Sequence, residues 1–409
     1  MSAPVARKSF SRRGSAGEVL ATFLWLGLTS FGGPIAHLGY FRAELVERRR
    51  WLDEHAYADL VGLCQFLPGP ASSQVGFVLG LMRGGWLGGL AAWGGFTLPS
   101  ALLLLAFAYG AKSLLGNAVG AGLLHGLKLV AVAVIAQAVW GMARSLCPDR
   151  ERASIATAAA IIVMFAPTAI GQVGVIVCGG IAGLFLSRMM TGKAVDPVLE
   201  PLKMPVSRAA GFACLVLFLA LLVILPCLHG LGMRVTVFDA FYRSGALVFG
   251  GGHVVLPLLR DAVVAPGWVS DTSFLAGYGA TQAMPGPLFT FAAYLGAVLP
   301  GPLGGVVGAV LALVAIFIPG MLLLAGALPF WDGLRARPLA QAGMRGINAA
   351  IVGMLGAALY DPVWTGAILR PTDFALALLG FVLLVVWRAP PLLVVTIGAV
   401  GGGVLGLTG

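Results

Sequence analysis

The sequence predicts an all-α, polytopic membrane protein, built as an inverted internal repeat with broken or re-entrant helices. Three observations lead there. The 409 residues are 59% hydrophobic and only 10% charged, with a mean hydropathy of +0.96, whereas about a quarter of the residues in a soluble domain carry charge. Apolar runs of bilayer-spanning length recur from Val19 to Leu407. One short pattern also occurs twice, as Gln65-Phe66-Leu67-Pro68-Gly69-Pro70 and Gln282-Ala283-Met284-Pro285-Gly286-Pro287, each time inside an apolar, helix-length segment.

Taken in order, the chain yields about 13 hydrophobic elements: 19–38, 55–82 (broken at Pro68), 86–110, 118–144, 151–166, 168–188, 208–229, 235–257, 271–299 (broken at Pro285), 303–328, 338–360, 372–387 and 390–407. Residues 1–17 are basic (Arg7, Lys8, Arg12, Arg13) and lead into the first element with no cleavage site, which reads as a retained span. A first repeat covers 18–189. The segment 190–207 is a linker, carrying Lys193, Asp196, Pro197, Glu200, Pro201, Lys203 and Pro205. An extra transmembrane span covers 208–232, and a second repeat covers 233–409. At an offset of 217, Trp51 pairs with Trp268, Gln65 with Gln282, Pro68-Gly69-Pro70 with Pro285-Gly286-Pro287, Gly84 with Gly301 and Lys128 with Arg345. A one-residue slip pairs Phe31-Gly32-Gly33 with Phe249-Gly250-Gly251, and a three-residue insertion pairs Pro99 with Pro319.

Basic residues gather in the loops on the N-terminal side, which places the N-terminus in the cytoplasm. Arg42, Arg48, Arg49 and Arg50 are exceptions if every element crosses the bilayer, and they cease to be exceptions if the Gly-Gly and Pro-Gly-Pro elements dip in and return. Either arrangement puts an odd number of crossings between the two copies. The second copy is therefore inverted, an architecture common among secondary transporters. The five cysteines are scattered without metal-ligand spacing, no cofactor motif is present, and the net charge of +10 lies in loops rather than on a nucleic-acid-binding face.

Neither Pro-Gly-Pro can continue a helix, because proline lacks the N–H and clashes with the preceding turn. In a bilayer, broken backbone is tolerated only where it is buried in protein or lines a wet cavity. Paired breaks in two halves point to a substrate site, with a simple packing kink as the other reading. New half-helices are expected at Ala71 and Leu288, whose free N–H groups suit an anion. Ser72, Ser73, Gln74 and Thr290 would add donors after the breaks, and Gln65 and Gln282 before them. Gly32-Gly33 and Gly250-Gly251 form a second pair of breaks, suited either to a ligand or to close helix packing.

Three cations within spans, Lys128, Arg345 and Arg243, are substrate-contact candidates by position. Arg345 is also placed to snorkel, and Arg243 to pair with Asp239 four residues earlier. His37, Asp59 and His253 are the candidate coupling groups, with hydrogen-bonded packing as the alternative for each histidine.

The stretches SFGGPIAHLGYFR (30–42), WLDE (51–54), LCQFLPGPASSQ (63–74), FGGGHVVLPLL (249–259) and ATQAMPGPLFTFAAYLG (280–296) resemble the chromate transporter family in its long, two-domain form. The resemblance covers nearly the whole chain. It implies export of chromate from the bacterial cytoplasm across the inner membrane, and chromate resistance. The second copy departs from the first where Pro34 becomes Gly252, His37 becomes Val255 and Asp59 becomes Ala276. Expulsion of a dianion from a negative-inside cell is favoured by the membrane potential, with proton exchange as an added option. Sulfate is the near-isosteric competitor, a general sulfate or oxyanion transporter is the neighbouring reading, and a homodimer is left open. A membrane-embedded enzyme is disfavoured by the absence of a Rossmann fingerprint, haem or iron–sulfur spacing, HExxH or paired aspartates. A purely structural role does not account for paired helix breaks.

Overall fold

The computed structural model describes residues 14–30, 33–114, 118–166, 169–189, 206–248, 255–331, 333 and 337–408. Among them every regular element is helical. α1 (Ala16–Thr29) begins on the Ser15 hydroxyl, which accepts the Glu18 N–H at 3.1 Å. α2 (Gly33–Phe41) runs on into a π-helical turn, Arg42–Arg48. α3 (Glu54–Phe66) is capped by Asp53, which accepts the Ala56 N–H at 2.8 Å, and it stops at Leu67, held extended by the proline that follows. The helical run Ala71–Leu114 is two helices, α4 (71–83) and α5 (86–114), separated by non-helical Gly84 and by Gly85 at φ 65°. Gly80 and Gly88 meet backbone to backbone, so α4 and α5 form a tight hairpin.

The ends of these elements settle how the chain enters the membrane. Arg83, at the end of α4, pairs with Glu18 in the first turn of α1 at 2.9 Å, and its carbonyl accepts the Gly14 N–H at 3.0 Å. Its guanidinium also lies 5.3 Å from the ring of Trp51, just ahead of α3. The start of α1, the approach to α3 and the exit from α4 therefore lie at one level. The pairs α1/α2 and α3/α4 each dip in and return, and the arrangement in which all elements cross is excluded. The Arg42–Arg50 cluster sits on that same face, where Arg42 pairs with Glu47 and Glu54 at 2.6 Å, and Glu44 pairs with Arg48 at 3.2 Å and Arg49 at 2.5 Å.

α5 is followed by α6 (Ala118–Leu146), α7 (Arg150–Phe165), α8 (Ala169–Met189) and α9 (Arg208–Cys227), of which α5, α6 and α9 are long and apolar enough to cross a membrane. α6 has 29 residues, about 43 Å of helix against a hydrocarbon core of roughly 30 Å. After these five helices the pattern repeats. α10 (Met233–Ala246) and α11 (Val255–Val263) correspond to α1 and α2, and α12 (Asp271–Thr281), capped by Ser270, corresponds to α3. A 3₁₀ turn, Leu288–Thr290, leads into α13 (Phe291–Val298), the counterpart of α4. α14 (Gly305–Ala327) packs back on α13 at Gly296 and Gly308, as α5 does on α4. α15 (Pro338–Ala358), α16 (Pro371–Val385) and α17 (Pro391–Thr408) complete the copy.

The two copies exchange their terminal helix pairs. Gly122 and Gly126 of α6 lie against Gly402 and Gly398 of α17, while Ala342 and Gly346 of α15 lie against Gly183 and Gly179 of α8. Small residues four apart let these backbones touch, the usual basis of close helix association in lipid. His125 on α6 bonds Asp373 at the start of α16 at 3.0 Å. This packing corrects one sequence pairing. With Gly122 and Gly126 matched to Ala342 and Gly346, the three-residue insertion ahead of Pro319 persists downstream. Arg345 then corresponds to His125, and Lys128 to Asn348, so Lys128 and Arg345 are not repeat-related.

Single cysteines placed at Arg50 and at Gly84 are expected to react with an impermeant thiol reagent from the side bearing the N-terminus. A cysteine at Pro302, at the equivalent hairpin tip of the second copy, is expected to react only from the opposite side. Labelling of positions 50 and 84 from opposite sides would contradict the paired dips.

Candidate functional site

Each Pro-Gly-Pro is bonded to the other repeat. The Gly69 N–H donates to the Val248 carbonyl at 2.6 Å, and the Gly286 N–H donates to the Ser30 carbonyl at 2.9 Å. Ser30 and Val248 are the residues just ahead of Phe31-Gly32-Gly33 and Phe249-Gly250-Gly251. The two bonds are thus equivalent under the repeat symmetry, and they bring both Pro-Gly-Pro breaks to a crossing with the chain at Ser30 and Val248. A backbone N–H left unpaired in hydrocarbon costs several kcal/mol, so these bonds are a condition for the breaks to exist at this depth.

Only glycine fits at either position. Gly69 has φ 125° and Gly286 φ 101°, in the left-handed region. A Cβ on Gly69 would lie 3.0 Å from the Gly320 Cα, and one on Gly286 would lie 2.8 Å from the Ser100 Oγ. Gly320 and Ser100 each follow the matched prolines, Pro319 and Pro99, so α14 and α5 back the two breaks in the same way. Gln74 in α4 strengthens one side. Its amide donates to the Pro68 carbonyl at 2.9 Å and to the Gly320 carbonyl at 3.0 Å, binding the first break to the second repeat.

Polar side chains gather here, and several have no partner. His37, on α2, shares a hydrogen bond with the Ser72 hydroxyl at 3.4 Å and sets its ring edge-on against Phe96. Ser72, Ser73 and Gln74, in the first turn of α4, are 3%, 2% and 0% exposed. The hydroxyls of Ser30, Ser73 and Thr97, the Gln74 Oε1 and the Gln282 Nε2 are buried with no hydrogen-bond partner among the described residues. Each such group costs about 1–3 kcal/mol unless something satisfies it. Three of the five are hydroxyls, able to donate or to accept, while the Gln282 amide only donates and the Gln74 Oε1 only accepts. An oxyanion is one partner that would take up four of them.

The remaining candidates are distributed as follows. Gln282 is half-buried just past the end of α12, whereas Gln65 is exposed. α4 begins at Ala71 as expected. α13 begins at Phe291 rather than Leu288, because the Thr290 N–H and hydroxyl both donate to the Pro287 carbonyl, at 3.0 and 2.7 Å, and close a 3₁₀ turn. The Thr290 hydroxyl is therefore spent locally. Gly33 opens α2 at φ 82°. Gly32, Gly250, Gly251 and His253 lie outside the described residues, as does the side chain of Asp59.

None of the three cations is engaged at the breaks. The Lys128 ammonium lies 3.3 Å from the Thr272 hydroxyl, at the far end of α12 from Gln282. Arg345 is exposed on α15. Arg243 bonds Asp239 at 2.9 Å, which also takes His229 at 2.8 Å. Long cationic stems escape the membrane interior where they can. No metal-binding cluster occurs among the described residues. Sequence reasoning missed Ser30, Thr97, Ser100 and Gly320. Their signal was position alone, directly ahead of a Gly-Gly break or beside a matched proline.

Alanine at Gly69 or Gly286 is expected to lower unfolding stability by about 2–4 kcal/mol, combining left-handed strain with the clash against the facing backbone. Thermal denaturation of the purified protein in detergent checks this. A Gly33→Ala control, with open space around its Cβ, is expected to cost less.

The family model described as "Chromate transporter" matches the chain twice, at residues 17–184 and 235–406. A chromate transport protein of Pseudomonas aeruginosa is 31% identical over 392 residues, covering 94% of this chain and 90% of its own length. A probable chromate transport protein of Synechococcus elongatus is 28% identical, with 82% of each chain covered. A chromate transport protein of Cupriavidus metallidurans is 26% identical, covering 84% of this chain and 81% of its own. No solved structure matches.

Proposed function

We propose a function from one premise: the chain belongs to the chromate transporter family. It is an integral membrane transporter of chromate and not an enzyme. The finer reading is our own. The protein exports chromate from the cytoplasm across the bacterial inner membrane, with its N-terminus cytoplasmic. Its two repeats, 18–189 and 233–409, are joined by the linker 190–207 and the extra span 208–232.

The observation that carries the site is the set of buried, unpartnered donors at the crossing of the two Pro-Gly-Pro breaks. The anion lies against the N-terminus of α4, where free N–H groups and about half a positive charge face the break, and takes the hydroxyls of Ser30, Ser73 and Thr97. Gln282 reaches it from the second repeat. Fixed dipoles without a Lys or Arg make a moderate site, which suits a carrier that must also release its cargo. Sulfate, of the same shape and charge, competes. The membrane potential supplies about 2.3 kcal/mol per charge per 100 mV, so a dianion gains roughly twice that on leaving a negative-inside cell. Proton exchange through His37 is the second reading, favoured by its contact with Ser72 at the head of α4.

Energised, everted vesicles test this. Chromate uptake is expected to collapse when the potential is discharged, to survive collapse of the pH gradient and to fall when sulfate is added. Replacing Pro68-Gly69-Pro70 by three alanines is expected to abolish uptake while the protein still inserts. Uptake lost with the pH gradient alone would instead favour the His37 reading. Uptake retained by the triple-alanine variant would remove the proposed site.

A further inference from the structure

One difference between the two repeats is how α3 and α12 are seated. α12 is wedged between α5 and α6, and every residue from Phe274 to Thr281 is buried. Its Gly279 lies directly on the backbone of Leu127 in α6, and its Thr272 takes the Lys128 ammonium. The counterpart, α3, packs on α4 and on the π-helical turn. Among the described residues it makes no comparable contact with α15, the counterpart of α6. Gly62 stands where Gly279 stands in the second repeat, yet nothing lies within 4 Å of the place its Cβ would occupy. One turn on, Gln65 is exposed, whereas its counterpart Gln282 holds its amide nitrogen buried. On α15, Ile347 replaces Leu127 and is only partly buried against Gly180 of α8, and Asn348 replaces Lys128.

In an inverted repeat such a difference is a statement about state. Two copies of one packing arrangement, facing opposite sides, that differ at this interface describe a pathway shut on one side and open on the other. We infer that α12 seated on α6 is a closed gate on the side away from the N-terminus, and that the gap between α3 and α15 is the open mouth on the N-terminal side. The anion enters past Gly62 and Gln65 to reach the breaks. In the alternate state α3 moves onto α15, with Gly62 taking up Ile347 as Gly279 takes up Leu127, and α12 leaves α6. Gly62 is glycine because the closed form brings backbone against it. The lone exposed amide of Gln65 faces the aqueous mouth, since an amide facing lipid is costly. The inference rests on the reading of the chain as a transporter, but not on its substrate.

The test uses the full-length chain with Cys64, Cys147, Cys178, Cys214 and Cys227 replaced, and two engineered cysteine pairs. Lys128→Cys with Thr272→Cys reports the gate that is shut here, and His55→Cys with Asn348→Cys, at the equivalent positions of the first repeat, reports the one that is open. With a short bifunctional thiol reagent, the first pair is expected to bridge readily in the resting protein and the second slowly. In a variant carrying both pairs, mass spectrometry is expected to find one bridge or the other in a molecule, and not both. Each bridge is expected to lower flux by about tenfold or more, with recovery when a cleavable reagent is cut. Bridges that coexist in one molecule, a His55/Asn348 pair that never bridges, or a Lys128/Thr272 bridge that leaves flux intact would overturn the inference. The bridging yields involve no chromate. If chromate is not the cargo, flux is absent before bridging while mutual exclusion persists, which separates failure of the gates from failure of the substrate reading.

Discussion

A broken backbone inside a bilayer has to find its hydrogen bonds within the protein, and the rest of this structure depends on that constraint. The chain breaks at both Pro-Gly-Pro stretches, and each makes a backbone hydrogen bond to the other repeat. Each Pro-Gly-Pro glycine donates across to the residue ahead of the other repeat's Gly-Gly stretch. The stability of each half is thereby tied to the presence of the other. The left-handed conformation at Gly69 and Gly286, the close approach of Gly320 and Ser100, and the bridging amide of Gln74 all serve the same two bonds.

The inversion and the exchange of terminal helices follow from the same need. An odd number of helices, five, lies between the hairpin pairs, which suits a second copy turned over so that breaks entering from opposite sides meet. α15 held by α8, and α6 held by α17, then lock the halves together through glycine contacts remote from the breaks. That leaves the short dipping helices as the parts with freedom to move. α3 and α12 are built alike, each capped by a short polar side chain and each ending in a Gln ahead of Pro-Gly-Pro, yet one is wedged in the core and the other is not.

Much of this was legible in the sequence, for physical reasons. Proline and glycine act through the backbone, so the double Pro-Gly-Pro announced its breaks irrespective of context, and charge sums made the dipping arrangement of the Arg42–Arg50 segment plausible before any geometry. The 217-residue offset held through the breaks. It failed beyond Pro319 because an insertion is invisible in loosely patterned apolar helix, and so Lys128 was matched to Arg345 when the glycine contacts match it to Asn348. The cations illustrate a second limit. A charge within a span is read as functional from its type alone, but Lys128 and Arg243 have stems long enough to reach Thr272 and Asp239 away from the breaks. Ser30 and Thr97 illustrate a third. A hydroxyl is ordinary in sequence, and becomes notable only when its burial and its lack of a partner are seen.

The central claim is that unpartnered donors at the crossing hold the anion, and its most direct test is equilibrium binding of chromate to the purified protein against a Ser30→Ala, Ser73→Ala, Thr97→Ala variant. Removing hydroxyls that have no protein partner is expected to leave the melting temperature unchanged or slightly raised, while chromate affinity falls by about tenfold or more. Full-affinity binding in the triple variant, with the fold intact, would show that the anion sits elsewhere.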